Sequence, residues 1–146
     1  CAMHRSWLGG IYEWAGEYRN VNLTKDGFPF AAAAQVPSLM KKFERDVLAR
    51  RTPCRSKSRR EIVGALAQVH VELVLIHHFR EGNGRIARVL STLMALQAGL
   101  PLLDFSLIAG RRKKDYFAAI QAGMGHNYKP MEGILAEIIG LSLAAS

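Results

Sequence analysis

The stretch "IHHFREGNGRIARVL", residues 76–90, interrupts two helical patterns and decides how the chain folds around it. It contains two adjacent histidines, one carboxylate, a Gly-Asn-Gly turn and two arginines three positions apart. The glycines at positions 82 and 84 permit positive φ and leave backbone N–H groups uncovered by a Cβ. Because the turn leads into a helix, the pattern predicts an anion-binding nest at the helix N-terminus.

Arg85 and Arg88 share one face of the first turn of that helix. Arginines at this end oppose the helix dipole, which favours anions there. A polyphosphate bound in front of them would offset both charges, and Glu81 supplies one carboxylate beside it, which suits Mg²⁺. The set predicts phosphoryl or nucleotidyl transfer, with His77 or His78 taking a proton from an attacking hydroxyl.

Two other interpretations of the stretch explain less of it. A glycine-rich turn with solvated charges accounts for Gly-Asn-Gly alone, but not for a carboxylate and two arginines within a dozen residues. A zinc site needs three or four ligands; His70 and His77 could share a helix face, but no cysteine assists them. We expect His70, His4 and His126 to be core or rim residues.

The composition indicates one domain with a buried core, since 49% of the 146 residues are hydrophobic and 22% are charged. No apolar run could cross a bilayer, and no signal peptide is visible. The chain opens on Cys1 rather than Met, so we expect residues 1–146 to be a single domain cut from a longer protein. Cys1 and Cys54 form neither a zinc pattern nor a disulfide framework, which favours a reducing, cytoplasmic setting.

The formal net charge is +8, and half of the 20 basic residues lie in two runs, at 50–60 and 111–114. Such runs can bind nucleic acid or an acidic partner. The alternative, a solvated loop and a solvated helix start, is favoured because no aromatic residue interleaves with either run. We therefore do not expect a nucleic-acid partner.

The N-terminal part of the chain predicts a helix followed by a hairpin. Four large apolar residues recur at helical intervals and predict a helix over residues 3–18 with a core face: Trp7, Ile11, Trp14 and Tyr18. Residues 21–31 alternate around Asp26-Gly27, which predicts a short β-hairpin with Pro29 on an edge strand. An irregular loop with two buried phenylalanines is nearly as well supported.

The remainder of the chain is helical in pattern, so the fold class is all-α with one small β insertion. A helix from Ser58 has Glu61 three residues later, a capping box, and becomes apolar on nearly every face, which predicts the central helix. The other helical patterns cover residues 37–50, 85–98, 111–123 and 130–143.

Residues 77–88, "HHFREGNGRIAR", resemble the signature of the Fic-domain family, His-Pro-Phe-x-(Asp/Glu)-Gly-Asn-Gly-Arg-x-x-Arg, at every defined position but one. "IYEWAGEYRNVNL" (11–23) resembles the segment that leads into the family's flap, and "KDYFAAIQAGMGHNYKPMEGIL" (114–135) resembles its nucleotide-side helix and closing segment. The resemblance covers nearly the whole chain. It implies a Fic-type helical bundle with a β-hairpin flap.

The resemblance also implies an activity: transfer of AMP from ATP, with Mg²⁺, to a Ser, Thr or Tyr hydroxyl of a target protein. Carried over, His77 is the general base, Phe79 anchors the loop, and Glu81 holds Mg²⁺. Phosphate binding is implied for Gly82, Asn83, Gly84, Arg85 and Arg88. We further expect Tyr116 in the adenine pocket, and the flap residues Lys25, Phe28 and Phe30 to bind the target.

Related activities stay open at this point. Doc-like kinases replace the last glycine of the turn, so Gly84 favours AMP transfer over γ-phosphate transfer. Other phosphate-group transfers share the motif, and a non-catalytic module that binds nucleotide or a partner is a further alternative. The intact motif argues against that last alternative.

Many Fic proteins are silenced by a helix bearing Ser/Thr-x-x-x-Glu-Gly/Asn. Glu132-Gly133 is the nearest candidate, but Tyr128 stands four residues before it. We therefore expect the activity of residues 1–146 to be uninhibited, unless residues upstream of Cys1 or a separate antitoxin-like protein supply the inhibitory helix. The family implies a bacterial cytoplasmic protein or an effector delivered into a host cell. His78 replaces the motif's proline, which removes a constraint on φ but leaves the base in place.

Overall fold

Helix α4 (Arg59–Ile76) is the longest helix, and eleven of its eighteen residues are buried. The Ser58 side chain accepts a hydrogen bond from the Glu61 N–H at 3.4 Å, as the capping box predicts. The return bond is relayed: Ser56 Oγ donates to the Glu61 carboxylate and accepts from the Ser58 N–H. The helix packs against α5 (Asn83–Gln97) and α8 (Lys129–Ala144), which confirms its central place.

The computed structural model describes all 146 residues. The remaining α-helices are α1 (Ala2–Leu8), α2 (Val36–Phe43), α3 (Ala49–Arg51), α6 (Ser106–Ala109) and α7 (Lys113–Ala122). A π-helical turn, Glu44–Leu48, joins α2 to α3, and 3₁₀ turns lie at Ala33–Gln35 and Gly123–Gly125. No helix combines the length and the apolar content that crossing a membrane requires.

The predicted hairpin is present and is short. Strands β1 (Thr24–Lys25) and β2 (Phe28–Pro29) pair antiparallel, with Thr24 opposite Pro29. Asp26 and Gly27 both have positive φ, 49° and 78°, as a tight hairpin turn requires. The irregular-loop alternative is therefore excluded, and the all-α class with one small hairpin is confirmed.

The predicted helix over residues 3–18 is wrong beyond Leu8, where α1 ends. Residues 9–18 form successive turns because glycines weaken the helix, and Gly16 adopts φ 87°, which no helix allows. The apolar face is also wrong as a core face, since Trp7 is 41% and Ile11 is 71% exposed. The residues of α1 that the fold buries are His4 and Leu8.

The other helical predictions hold to within a few residues, with three differences. The 37–50 pattern is one helical path broken by the π turn. Helix α5 begins at Asn83 rather than Arg85, because Gly82 is its left-handed N-cap. The short helix α6 was not predicted, because four residues are too few to show the helical periodicity of apolar residues. All the buried hydrophobic residues of α4, α5, α7 and α8 belong to one connected cluster, which also holds Phe79.

Candidate active site

His77 ends α4 in the left-handed region, with φ 50° and ψ 55°. This conformation costs a non-glycine residue roughly 1–2 kcal/mol. It turns the chain away from the helix axis and presents the imidazole at the C-terminal end of α4. A proline at position 78 would favour an extended residue before it; with His78 there, His77 adopts the left-handed turn.

The ring atoms of His77 are arranged for accepting a proton. Nδ1 lies 3.2 Å from the Val74 carbonyl oxygen, and because a carbonyl only accepts, the hydrogen is assigned to Nδ1. Nε2 keeps its lone pair and has no hydrogen-bond partner within the chain. Phe30 stacks on the imidazole with ring centroids 3.7 Å apart. Burial lowers the pKa of His77 to about 4, so the ring is neutral at pH 7.

The loop after His77 is closed by the side chain of Asn83, which is 2% exposed. Its Oδ1 accepts from the Phe79 N–H and its Nδ2 donates to the Phe79 carbonyl, both at 2.8 Å. The amide therefore holds the loop and does not face a ligand. The first helical bond of α5 runs from Ile86 N–H to Gly82 O, which leaves the N–H groups of residues 83–85 available to an anion.

Gly82 meets two requirements of this loop. Its φ of 85° favours glycine, and a Cβ there would lie 2.8 Å from the Trp7 ring. Gly82 therefore lets the loop pass under Trp7. Gly84 is less constrained, because a Cβ at that position would only contact the Arg88 guanidinium, at 3.4 Å.

The two arginines of the motif differ in their partners. Arg85 Nη2 donates to Glu81 Oε1 at 2.9 Å, and its guanidinium lies 4.6 Å from the Trp7 ring centroid. The Arg85 hydrogen bond lowers the pKa of the Glu81 carboxyl below its ordinary value. Arg88 makes no ion pair, so its charge is uncompensated beside the nest. Glu81 is the carboxylate that could hold a metal against a bound phosphate.

These residues line a cavity of about 800 Å³, within the usual size for small-molecule sites. The nest and Arg88 form its polar end, and side chains of α6 and α7 with Phe105 form its apolar end. The cavity brings together all the residues that the sequence proposes for the site: Lys25, Phe28, Phe30, His77, Glu81, Gly82, Asn83, Gly84, Arg85, Arg88 and Tyr116.

Tyr116 borders the cavity, but its hydroxyl is engaged in the core. It hydrogen-bonds to His70 Nε2 at 2.9 Å, and His70 Nδ1 bonds to Ser91 Oγ at 3.0 Å. Ser91 Oγ in turn donates to the Ala87 carbonyl, so Nδ1 is the donor to Ser91 and Nε2 accepts from Tyr116. His70 is 1% exposed, which confirms it as a core residue, and burial lowers its pKa to about 4.

The hairpin covers the mouth of the cavity through two contacts. Lys25 Nζ lies 4.4 Å from the Phe117 ring centroid of α7, and Phe30 covers one face of His77. Phe28 packs edge-on against Phe30. The flap thus touches both the apolar end of the cavity and the candidate base.

The sequence did not predict two residues that position the loop, His4 and Arg19. His4 was expected in the core, but with no further role. His4 is fully buried and stacks on Phe79 at 3.7 Å. The Gly16 N–H donates to His4 Nδ1, so Nε2 carries the hydrogen and donates to the Glu81 carbonyl at 2.9 Å. The second missed residue, Arg19, bonds to the His77 carbonyl. Neither residue belongs to a periodic pattern or to the motif. Their partners Glu81 and His77 lie 77 and 58 positions further along the chain, so the contacts exist only in the folded chain.

The two remaining histidines have no such role. His78 is 2% exposed and packs against Phe79, and its Nδ1 has no partner. Burial lowers the pKa of His78 to about 3, which keeps it neutral. His126 lies at the surface, where its Nδ1 contacts the Tyr128 hydroxyl.

The arrangement matches a known family over most of the chain. The sequence model of the protein family described as Fic/DOC family matches residues 1–95. The chain belongs to the Fic/DOC family. Among the curated proteins of this kind, protein adenylyltransferase VbhT of Bartonella schoenbuchensis is 35% identical over 97 residues, which cover 66% of this chain and 20% of VbhT.

A second relative, the probable protein adenylyltransferase y4lH of Sinorhizobium fredii, is 30% identical over 106 residues, or 73% of this chain and 55% of that protein. The chain thus spans between about a fifth and just over half of these relatives.

Solved Fic domains share the fold. The BepC effector of Bartonella tribocorum, solved with bound AMPPNP, gives a TM-score of 0.72 at 27% identity over 94% of this chain and 70% of that chain. An ADP-bound Fic domain from Bartonella quintana gives 0.72 at 28% identity over 94% and 69%. A Fic-domain signalling protein from Bacteroides thetaiotaomicron, at 22% identity over 98% of this chain and 58% of that chain, gives 0.75 and supports the fold alone.

Proposed function

We propose that this chain is a protein adenylyltransferase that moves AMP from ATP to a Ser, Thr or Tyr hydroxyl of a target protein. The observation that carries the proposal is the free Nε2 of a neutral His77 at the mouth of a cavity whose polar end is an anion nest. The names of VbhT and y4lH as adenylyltransferases support the reaction. The relatives with bound AMPPNP and ADP support the nucleotide.

The proposed reaction begins with a proton transfer to His77. The target hydroxyl gives its proton to His77 Nε2, and its oxygen attacks the α-phosphorus. The bond from the α-phosphorus to the bridging oxygen breaks, pyrophosphate leaves, and the products are the AMP-modified target and a protonated His77. The negative charges of bound ATP raise the pKa of His77 from its low value, which strengthens the base when the substrate is present.

The phosphates are bound by the N–H groups of residues 83–85 and by Arg88, whose charge has no partner in the chain. Arg85 exchanges its bond to Glu81 for the phosphates, and this frees the Glu81 carboxylate. That carboxylate, beside phosphate oxygens, fits Mg²⁺, which would neutralise phosphate charge when bound. The apolar end of the cavity, including Tyr116, takes the adenine, and the flap residues Lys25 and Phe28 face the target.

The protein target and the compartment are proposed from the names of the relatives, and an inhibitor in trans is proposed because residues 1–146 contain no Ser/Thr-x-x-x-Glu-Gly/Asn pattern. The target is a protein, and a small antitoxin-like inhibitor in trans is a second partner. Several structural relatives are described as VirB-translocated effectors. The location that we propose is the bacterial cytoplasm or, after delivery, a host cell.

The competing function is a Doc-like kinase that transfers the γ-phosphate, and it is disfavoured by Gly84. Incubation with lysate and ATP labelled on the α- or the γ-phosphate separates the two. We expect protein labelling from the α position alone. The labelling should be lost in His77→Ala and retained in His126→Ala, the control, because His126 lies at the surface. Labelling from the γ position alone would establish the kinase, and no labelling from either would leave a non-catalytic binding module.

A further inference from the structure

Arg19 is a buried arginine without a carboxylate. It lies before the hairpin, is 2% exposed and belongs to no ion pair. Burying a charge without a counter-charge is unfavourable unless hydrogen bonds replace its water. Here every hydrogen bond of the guanidinium is to a backbone carbonyl, and those carbonyls belong to two separate parts of the site.

The first pair of carbonyls is at the end of α4. Arg19 Nε donates to the His77 carbonyl at 2.5 Å and Nη2 donates to the Ile76 carbonyl at 3.2 Å. These are orphan carbonyls at the negative end of the helix dipole, where a cation is stabilising. The backbone N–H of Arg19 also donates to the His78 carbonyl at 3.0 Å. The residue therefore holds the backbone on both sides of the left-handed turn at His77.

The second pair is at the two ends of the flap. Nη1 donates to the Val21 carbonyl at 2.7 Å and Nη2 donates to the Ala31 carbonyl at 2.5 Å. Val21 precedes β1 and Ala31 follows β2, so the guanidinium joins both ends of the hairpin. The Ala31 N–H reaches the Leu75 carbonyl in α4, and the neighbouring Phe30 stacks on the His77 ring. Flap and base are thus linked by backbone and by side chain.

We propose that Arg19 is a positioning residue that ties the flap to His77, so that a target segment seated on the flap meets the base at the correct distance. The inference rests on the proposed function, since it assumes that His77 is the base. The planar guanidinium donates in several fixed directions at once. A lysine ammonium keeps the charge but is a compact point donor that cannot reach all four carbonyls.

Kinetics of Arg19→Lys and Arg19→Gln test the inference, with Arg45→Lys as the matched control because Arg45 is exposed and bonded only to Asp46. We expect both variants to keep the ATP Kd within about twofold, because no Arg19 atom lines the cavity. We expect kcat for target modification to fall about 100-fold, as a base displaced by about an ångström does. Arg45→Lys should match the wild type.

The pH profile adds a readout that a purely structural role would not change. The Arg19 charge helps to lower the pKa of His77, so the acid limb should move to higher pH in Arg19→Gln and stay in place in Arg19→Lys. Wild-type kcat in both variants would overturn the inference. Loss of the folded state in both would also overturn it, because Arg19 would then serve stability rather than position. An inactive wild type would instead refute the proposed function.

Discussion

His77, the proposed base, has three neighbours that fix its position and tautomer. A carbonyl accepts a hydrogen bond from its Nδ1–H, a phenylalanine covers one face of its ring, and a buried arginine binds its backbone carbonyl. None of these three contacts could be predicted from the motif alone. The motif predicted which side chains meet, since they lie within twelve consecutive residues. It could not predict the left-handed backbone of His77 or the inward amide of Asn83, because both depend on what packs around the loop.

The pH dependence of the reaction should report the low pKa of His77. The imidazole must be neutral to accept a proton, so activity is present above its pKa and is lost as pH falls through it. We expect the acid limb of kcat/KM, which reports the free enzyme, near pH 4. The limb of kcat should lie higher, because bound phosphates stabilise the imidazolium. An acid limb of kcat/KM near 6.5, the ordinary value of histidine, would contradict the buried ring.

The left-handed glycine of the loop gives a stability test. Gly82→Ala places a Cβ 2.8 Å from the Trp7 ring at a φ of 85°, and we expect the free energy of unfolding to fall by more than about 1 kcal/mol. Gly140→Ala, in α8 with open space around the Cβ, should raise it by up to about 1 kcal/mol. Chemical denaturation measures both, and equal effects would contradict the loop geometry.

The elements that form the site are held together through α4. Its C-terminal end carries His77, its interior carries His70, and the two ends of the hairpin attach to its last turn through Arg19. The sequence predicted α4, α5 and α8 because long amphipathic or apolar patterns outweigh local exceptions. It failed over residues 9–18, where glycines end α1 early. This segment is held instead by the bond from the Gly16 N–H to His4 and by the contacts of Tyr18 with His78 and Phe79.

The hydrogen bond between His70 of α4 and the Tyr116 hydroxyl of α7 can be tested by Tyr116→Phe. The substitution leaves His70 Nε2 buried without a donor, which costs about 1–3 kcal/mol. We expect a corresponding fall in the free energy of unfolding, with ATP affinity nearly unchanged because the lost hydroxyl points into the core. Tyr12→Phe, at an exposed tyrosine without a hydrogen bond, should have no effect. Wild-type stability of Tyr116→Phe would refute the His70 network.

At the scale of the whole molecule, the chain places a nucleotide-sized cavity between the α5 nest, α7 and the flap. The basic runs at 50–60 and 111–114 do not form it, apart from Lys113 at its edge. From the sequence, both runs are predicted to be a solvated loop and a solvated helix start, which agrees with their position outside the cavity. The distant partners of the site, Arg19 and His4, could be found only once the chain was folded.

In the proposed mechanism, His77 acts in the chemical step and not in holding ATP. The most direct measurement compares His77→Ala with the wild type in two assays: equilibrium ATP binding and transfer of α-labelled AMP to protein. We predict an ATP Kd within about twofold of the wild type and a transfer rate lower by about 10²–10⁴, the usual contribution of a general base. Transfer at the wild-type rate by His77→Ala would contradict the account.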